Sequence, residues 1–207
     1  ALEQVPALAA WQTVTDTSSA EIARWTGTNT GVLTAFTPAI DIDITDPAAA
    51  TVAEDTAKEL FSDRGKVPVR FGRLPKRTLP LRTMTPFPKM SASFKTPGRD
   101  EIHKIEILAD GQQFVIDGIH PDTNEPYTWH GGTPWNTPRD ELAEISEADM
   151  QAYLELVAER LAEEFGWERV YTNGHGGERA ARQVGATQLD VARPVDVDTR
   201  LEAMQFG

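Results

Sequence analysis

Residues 39–44 read Ala-Ile-Asp-Ile-Asp-Ile, and this strict apolar/acid alternation constrains the fold more than any other stretch. Period two is the signature of a strand with one buried face. Ile40, Ile42 and Ile44 must then point into a core, while Asp41 and Asp43 share the opposite face. At about 3.3 Å per residue the two carboxylates stand roughly 6–7 Å apart. Like charges held this close repel, so the pair favours a bound cation. The hard oxygen ligands point to Mg2+ or Mn2+.

The chain has 207 residues, of which 40% are hydrophobic and none is cysteine. That length suits one large domain, or one domain with appendages. Without cysteine there is no disulfide and no thiolate zinc site, which fits a reducing, cytoplasmic setting. No basic-then-apolar amino-terminal segment reads as a signal peptide, and no apolar run is long enough for a membrane span. The net charge of −12 argues at first against a polyanionic partner. Its distribution reverses that reading. Between Arg64 and Lys104 there are eleven Lys/Arg and two acids, a formal +9, which leaves −21 for the rest of the chain. A basic segment in an acidic protein confines anion binding to one surface, or else serves as a solubilising loop.

Residues 1–17 look peripheral, with Trp11 as the one large anchor. Ser18 and Glu21 form a capping-box pattern, and a short helix with Ile22 and Trp25 on one side is expected to close at Gly27. Residues 31–36 and 39–44 read as two short strands or one strand interrupted at Pro38, then a helix is expected from Asp46-Pro47 with Val52, Thr56, Leu60 and Phe61 on its apolar face. Pro68, Pro75 and Pro80 assign strands 67–71 and 78–83 to edges or irregular turns. Strands over 89–94 and 103–108 follow, with Asp110-Gly111 turning a hairpin into 112–116. A loop-rich stretch, 120–138, precedes the clearest helix. This starts at Ser146 with Asp149 in its capping box, buries Met150, Tyr153, Leu154, Val157, Leu161 and Phe165, and stops at Gly166. Hairpins dominate the middle, so the expected class is α+β. We expect a main domain over residues 1–170, and a linker with the start of a helical segment over 171–207.

Glu106 stands between Ile105 and Ile107 in a setting like that of the Asp pair. If the strands are neighbours, Asp41, Asp43 and Glu106 form one cluster able to hold two divalent ions. Otherwise Glu106 faces solvent and pairs with Lys104. In Arg70-Phe71-Gly72-Arg73-Leu74-Pro75-Lys76-Arg77, glycine and proline shape a turn that gathers Arg73, Lys76 and Arg77, apt for phosphate oxygens. No GxxxxGK[ST] loop and no GxSxG turn occurs, which removes P-loop ATPases and serine hydrolases of that type. His103, His120, His130 and His175 lack the spacing of a helical zinc site. His120, just after a strand, serves either a phosphate or sugar, or only its own loop.

Taken in order, Asp41-Ile42-Asp43, the basic turn 72–77, Glu106 and the run 105–123 resemble the bifunctional primase/polymerase domains of the archaeo-eukaryotic primase superfamily. Trp11-Gln12 and Ile22-Ala23-Arg24-Trp25 resemble its amino-terminal region, so the likeness spans about residues 10–145. It implies a primase-like catalytic core with an RRM-like sheet unit and a cleft between two lobes. It also implies that Asp41, Asp43 and Glu106 ligate two metals, and that Arg73, Lys76 and Arg77 hold the incoming nucleotide. Many relatives place a histidine in the middle motif. This chain has none there, so Arg77, Arg82 or His120 would take its place. The zinc element of many relatives is not expected.

The resemblance further implies plasmid, phage or prophage replication proteins, often continuing into a helicase. The expected function is therefore a template-dependent nucleotidyltransferase, both DNA primase and DNA polymerase, acting on a single-stranded DNA template, a primer and (d)NTPs. Trp129 and Tyr127 would stack on bases or simply pack. Two rivals use the same residues: a metal-dependent nuclease, and a non-catalytic module binding single-stranded nucleic acid or nucleotide.

Overall fold

The computed structural model describes residues 18–24, 27 and 29–171. Trp11, Trp25, His175 and the expected linker over 172–207 lie outside the described residues. Helix α1 (Ser19–Ala23) carries the Ser18/Glu21 capping box and ends at Arg24, before Gly27. Strands β1 (Thr30–Leu33) and β2 (Ala39–Asp43) are separate, and helix α2 (Pro47–Phe61) follows with Asp46 accepting from the Ala48 and Ala49 amides. Strands β3 (Val69–Phe71), β4 (Arg77–Pro80), β5 (Met90–Lys95), β6 (Ile102–Leu108), β7 (Gln113–Asp117) and β8 (Thr128–His130) come next. Helix α3 (Glu147–Phe165) and strand β9 (Glu168–Val170) complete the described chain.

Seven strands form one sheet in the order β8-β3-β4-β2-β6-β5-β9, with every neighbouring pair antiparallel. Strands β1 and β7 form a separate antiparallel ribbon. The class is α+β, as the sequence implies. Helices α2 and α3 cover one face of the large sheet. Their buried side chains join Ile40, Ile42, Leu79, Ile105 and Ile107 in a single core. Tyr153 ties the two helices together by donating to the Ala53 carbonyl at 3.1 Å.

Several expectations need correction. The buried face of α2 keeps the expected Thr56 and Phe61 but is otherwise built from Ala49, Ala50, Ala53 and Ala57, with Val52 and Leu60 only partly covered, because small residues let the helix lie close to the isoleucines. Strands β3 and β4 are both interior despite the prolines in and beside them. Pro80 ends β4 opposite Ala39, and Pro75 and Pro68 lie outside the ladders. Strand β7 does not return beside β6, since both sides of β6 are already taken by β2 and β5. It pairs with β1 instead. Strand β9, at the sheet edge beside β5, has too short a pattern to be expected from sequence.

Candidate active site

The strand register builds the site. Asp41 pairs with Glu106 on one side and with Thr78 on the other, and Thr78 in turn pairs with Arg70, which pairs with Trp129. Residues directly opposite one another share a face. The row Trp129–Arg70–Thr78–Asp41–Glu106–Ser91 therefore crosses the sheet on the side away from the helices. The next row of the same face sets Asp43 against Lys104 and Lys104 against Ser93.

Polar contacts fix these groups. The buried Thr78 hydroxyl donates to Asp41 Oδ1 at 2.7 Å and accepts from Arg70 at 2.7 Å. Burial pushes the Asp41 pKa up, and the neighbouring charges of Asp43 and Glu106 push the same way. The Thr78 hydrogen bond and Arg70 only partly oppose this. Asp43 is ion-paired with Lys76. Glu106 Oε1 lies 2.6 Å from Lys89 Nζ and 2.7 Å from Lys104 Nζ. Burial alone would raise the Glu106 pKa, but the two lysines outweigh it and hold the group below the usual range. Glu106 thus stands opposite Asp41 in register and also pairs with Lys104.

The basic turn divides between the two faces. Arg73 lies 3.6 Å from Asp122, and Lys76 reaches Asp43. Gly72 lets the 118–127 loop close onto this turn, since a Cβ there would come within 2.5 Å of both the His120 and Tyr127 rings. His120 Nδ1 accepts from the Asp122 and Thr123 amides at 3.2 and 3.4 Å. Its neutral ring therefore carries the proton on Nε2 and can donate to a ligand. Burial, with Arg70, Arg73 and Lys76 nearby, holds the His120 pKa below its ordinary value against the pull of Asp122. Arg77 lies on the opposite face: it pairs with Glu54 of α2, and its Nε donates to the Pro75 carbonyl at 2.9 Å. Arg82 binds the Leu142 carbonyl and pairs with Glu144. Neither reaches the carboxylates through any contact among the described residues.

Sequence reasoning missed Arg70 and Thr78. Alternation could have found both, since Arg70 lies between the core residues Val69 and Phe71, and Thr78 precedes the core residue Leu79. The Arg70 guanidinium carbon lies 4.5 Å from the Tyr127 ring centroid and 5.7 Å from that of Phe114. Arg70 Nε and Trp129 Nε1 are buried without a hydrogen-bond partner among the described residues. Beside them the β1–β7 ribbon leaves a cleft of about 220 Å3 lined in part by Val32, Ile116, Pro80 and Trp129.

The donor chemistry, three carboxylates on one face with Asp41 opposite Glu106 and Asp43 two residues along the same strand, is that of a hard divalent ion. Among the described residues, however, no three His, Asp or Glu side chains converge to metal-holding distance. Asp43 and Glu106 turn instead to lysines, which a metal would have to displace.

The structure is an antiparallel sheet with helices on one face and a polar row of acids, an arginine and lysines on the other. The chain belongs to the family of bifunctional DNA primase/polymerase amino-terminal domains, whose model matches residues 2–148. A comparison with curated proteins finds no match. Membership implies DNA primase and polymerase activity in the broad sense, with DNA and nucleotides as substrates. Among the described residues no helix is long and apolar enough to cross a membrane.

Proposed function

We propose that this chain is a template-dependent nucleotidyltransferase that makes and extends primers, with a primase-like catalytic core and with Asp41, Asp43 and Glu106 at the reacting centre. One observation carries this reading: the three carboxylates adjoin on one sheet face, with Lys76, Arg73 and His120 at its β4 side. Asp41, Asp43 and Glu106 would hold two Mg2+ or Mn2+ ions. When bound, these would supply activation of the attacking 3′-hydroxyl and charge neutralisation at the departing pyrophosphate. Thr78 and Arg70 hold the Asp41 carboxylate in place. Lys76, Arg73 and the Nε2–H of His120 bind and orient the triphosphate, so catalysis rests on positioning and charge compensation.

The lysine pairs of Asp43 and Glu106 favour one rival, a non-catalytic nucleic-acid or nucleotide-binding module. Primer extension on a single-stranded template with labelled dNTPs and Mn2+ or Mg2+ separates the two. The expected result is extension by the wild type and none by Asp41→Ala/Asp43→Ala. Binding without extension in both proteins would establish the module, and degradation of the DNA without added nucleotide would establish a nuclease.

A further inference from the structure

The carboxylate face has two unlike halves. On the β3, β4 and β8 side it is covered. Phe114 of the ribbon lies against Arg70, Thr78 is fully buried, and Pro80 and Trp129 line a cleft with Val32 and Ile116. On the β6 and β5 side it is open. Ser91 is exposed, and Ser93, Lys95 and Lys104 are partly so. The Lys89 and Lys104 side chains keep 37% and 41% of their surface although both contact Glu106. Two ammonium groups on one carboxylate leave a net positive charge at that spot. Ser91 and Ser93 are short hydroxyl donors lying next to Glu106 and Lys104 in register, so the face there is polar, and Ser91 and Lys89 also line a shallow pocket with Glu147, Glu155 and Arg169.

Asp43 stands between Lys76 on its β4 side and Lys104 on its β6 side. Nucleotidyl transfer joins two anionic substrates, a nucleotide and a strand, and the cations of this face fall into two groups on opposite sides of the acids. Resting on the nucleotidyltransferase reading, we infer that the open β6–β5 half is the seat of a single nucleic-acid strand. Its sugar–phosphate backbone is held by Lys89 and Lys104 and by the Ser91 and Ser93 hydroxyls, while the nucleotide occupies the Arg73, Lys76 and His120 side.

The test is fluorescence anisotropy of a labelled oligo-dT with the whole chain in EDTA, across a salt series, so that binding is read without catalysis. Each single-strand phosphate contact contributes about 0.7 to the slope of log Kd against log salt, so Lys89→Gln/Lys104→Gln is expected to lower it by about 1.4. The KM for dNTP in primer extension should stay within about twofold of wild type. Ser91→Glu, an exposed change that leaves the core untouched, should weaken oligo-dT binding several-fold. Arg73→Gln should instead raise the dNTP KM and leave the slope unchanged. The same series on a primed hairpin separates the sources: loss on both substrates assigns the seat to any single strand, and loss on the primed one alone assigns it to the primer. A slope unchanged on both oligo-dT and the primed hairpin, with undiminished binding of both by Ser91→Glu, overturns the inference while wild-type extension keeps the nucleotidyltransferase reading. A raised dNTP KM with an unchanged slope overturns it in favour of a triphosphate role for these lysines. A wild type that neither binds nor extends overturns both.

Discussion

The two faces of the seven-stranded sheet treat charge in opposite ways. On the helix side the charged pair at the core, Arg77 with Glu54, is closed: Glu54 also meets Lys58, and Arg77 also meets the Pro75 carbonyl and the Phe71 ring. On the other side charges are left unbalanced. The Asp41 pKa is pushed up by burial and by two neighbouring acids, while Arg70 Nε and Trp129 Nε1 have no hydrogen-bond partner among the described residues. A face built for stability alone would not keep such groups. Their concentration on one surface supports the proposal that ligand contacts replace internal ones there.

The contrast breaks most readily on the helix side. Glu54→Gln leaves the Arg77 guanidinium buried without its counter-charge, and breaking a buried pair this way is strongly destabilising. We expect a loss of about 2–3 kcal/mol, or roughly 4–12 °C in Tm for a chain of this size, by thermal melting. Because Arg77 also grips the Pro75 carbonyl beside Lys76, the dNTP KM should rise more than kcat falls.

The same pair sets an acid limit. Burial would raise the Glu54 pKa, but Lys58 and Arg77 outweigh it and hold the group below its ordinary value of 4.5. A depressed carboxylate contributes stability above its unfolded pKa and loses it as pH falls through the folded one. Wild-type Tm should therefore drop below about pH 4.5, and the drop should be shallower in Glu54→Gln. Equal slopes in the two proteins would remove Glu54 from the explanation.

The carboxylate face should respond with the opposite sign. The raised Asp41 pKa means that ionising this group at neutral pH costs the folded state stability. Asp41→Asn keeps an acceptor for the Thr78 hydroxyl and removes a like charge. In EDTA it should melt higher than the wild type, while losing extension. A lower Tm would show that Asp41 is held as favourably as Glu54. The smallest effect should come from His120→Asn, which removes the Nε2–H donor from an already neutral ring. A dNTP KM raised about three- to tenfold is expected, with Tm nearly unchanged, in line with the loss of one hydrogen bond.

Much of this was legible in the chain. Alternation over 39–44 fixes β2 and both of its faces, capping boxes fix the starts of α1 and α3, and Asp46-Pro47 fixes the start of α2. The adjacency of β2 and β6, which brings Asp41 opposite Glu106, is a long-range pairing that no local signal dictates. Arg77 teaches a different point. Grouping it with Arg73 and Lys76 followed the density of charge, yet it shares parity with the buried Leu79 and so had to face the helices. Strand β7 escaped for a topological reason, since a tight Asp110-Gly111 turn specifies a reversal but not which strand receives it. The lysine contacts of Asp43 and Glu106 depend on flexible side chains, which strand pattern does not place.

The most direct measurement is primer extension by Glu106→Gln beside wild type, with thermal melts of both. Glutamine keeps the shape and removes the charge at the centre of the row. Extension lost by a factor of about a thousand or more, with Tm within a few degrees of wild type, is the expected result for a residue that acts on the reacting groups. Extension by Glu106→Gln at the wild-type rate would contradict the assignment of this face as the site of nucleotidyl transfer.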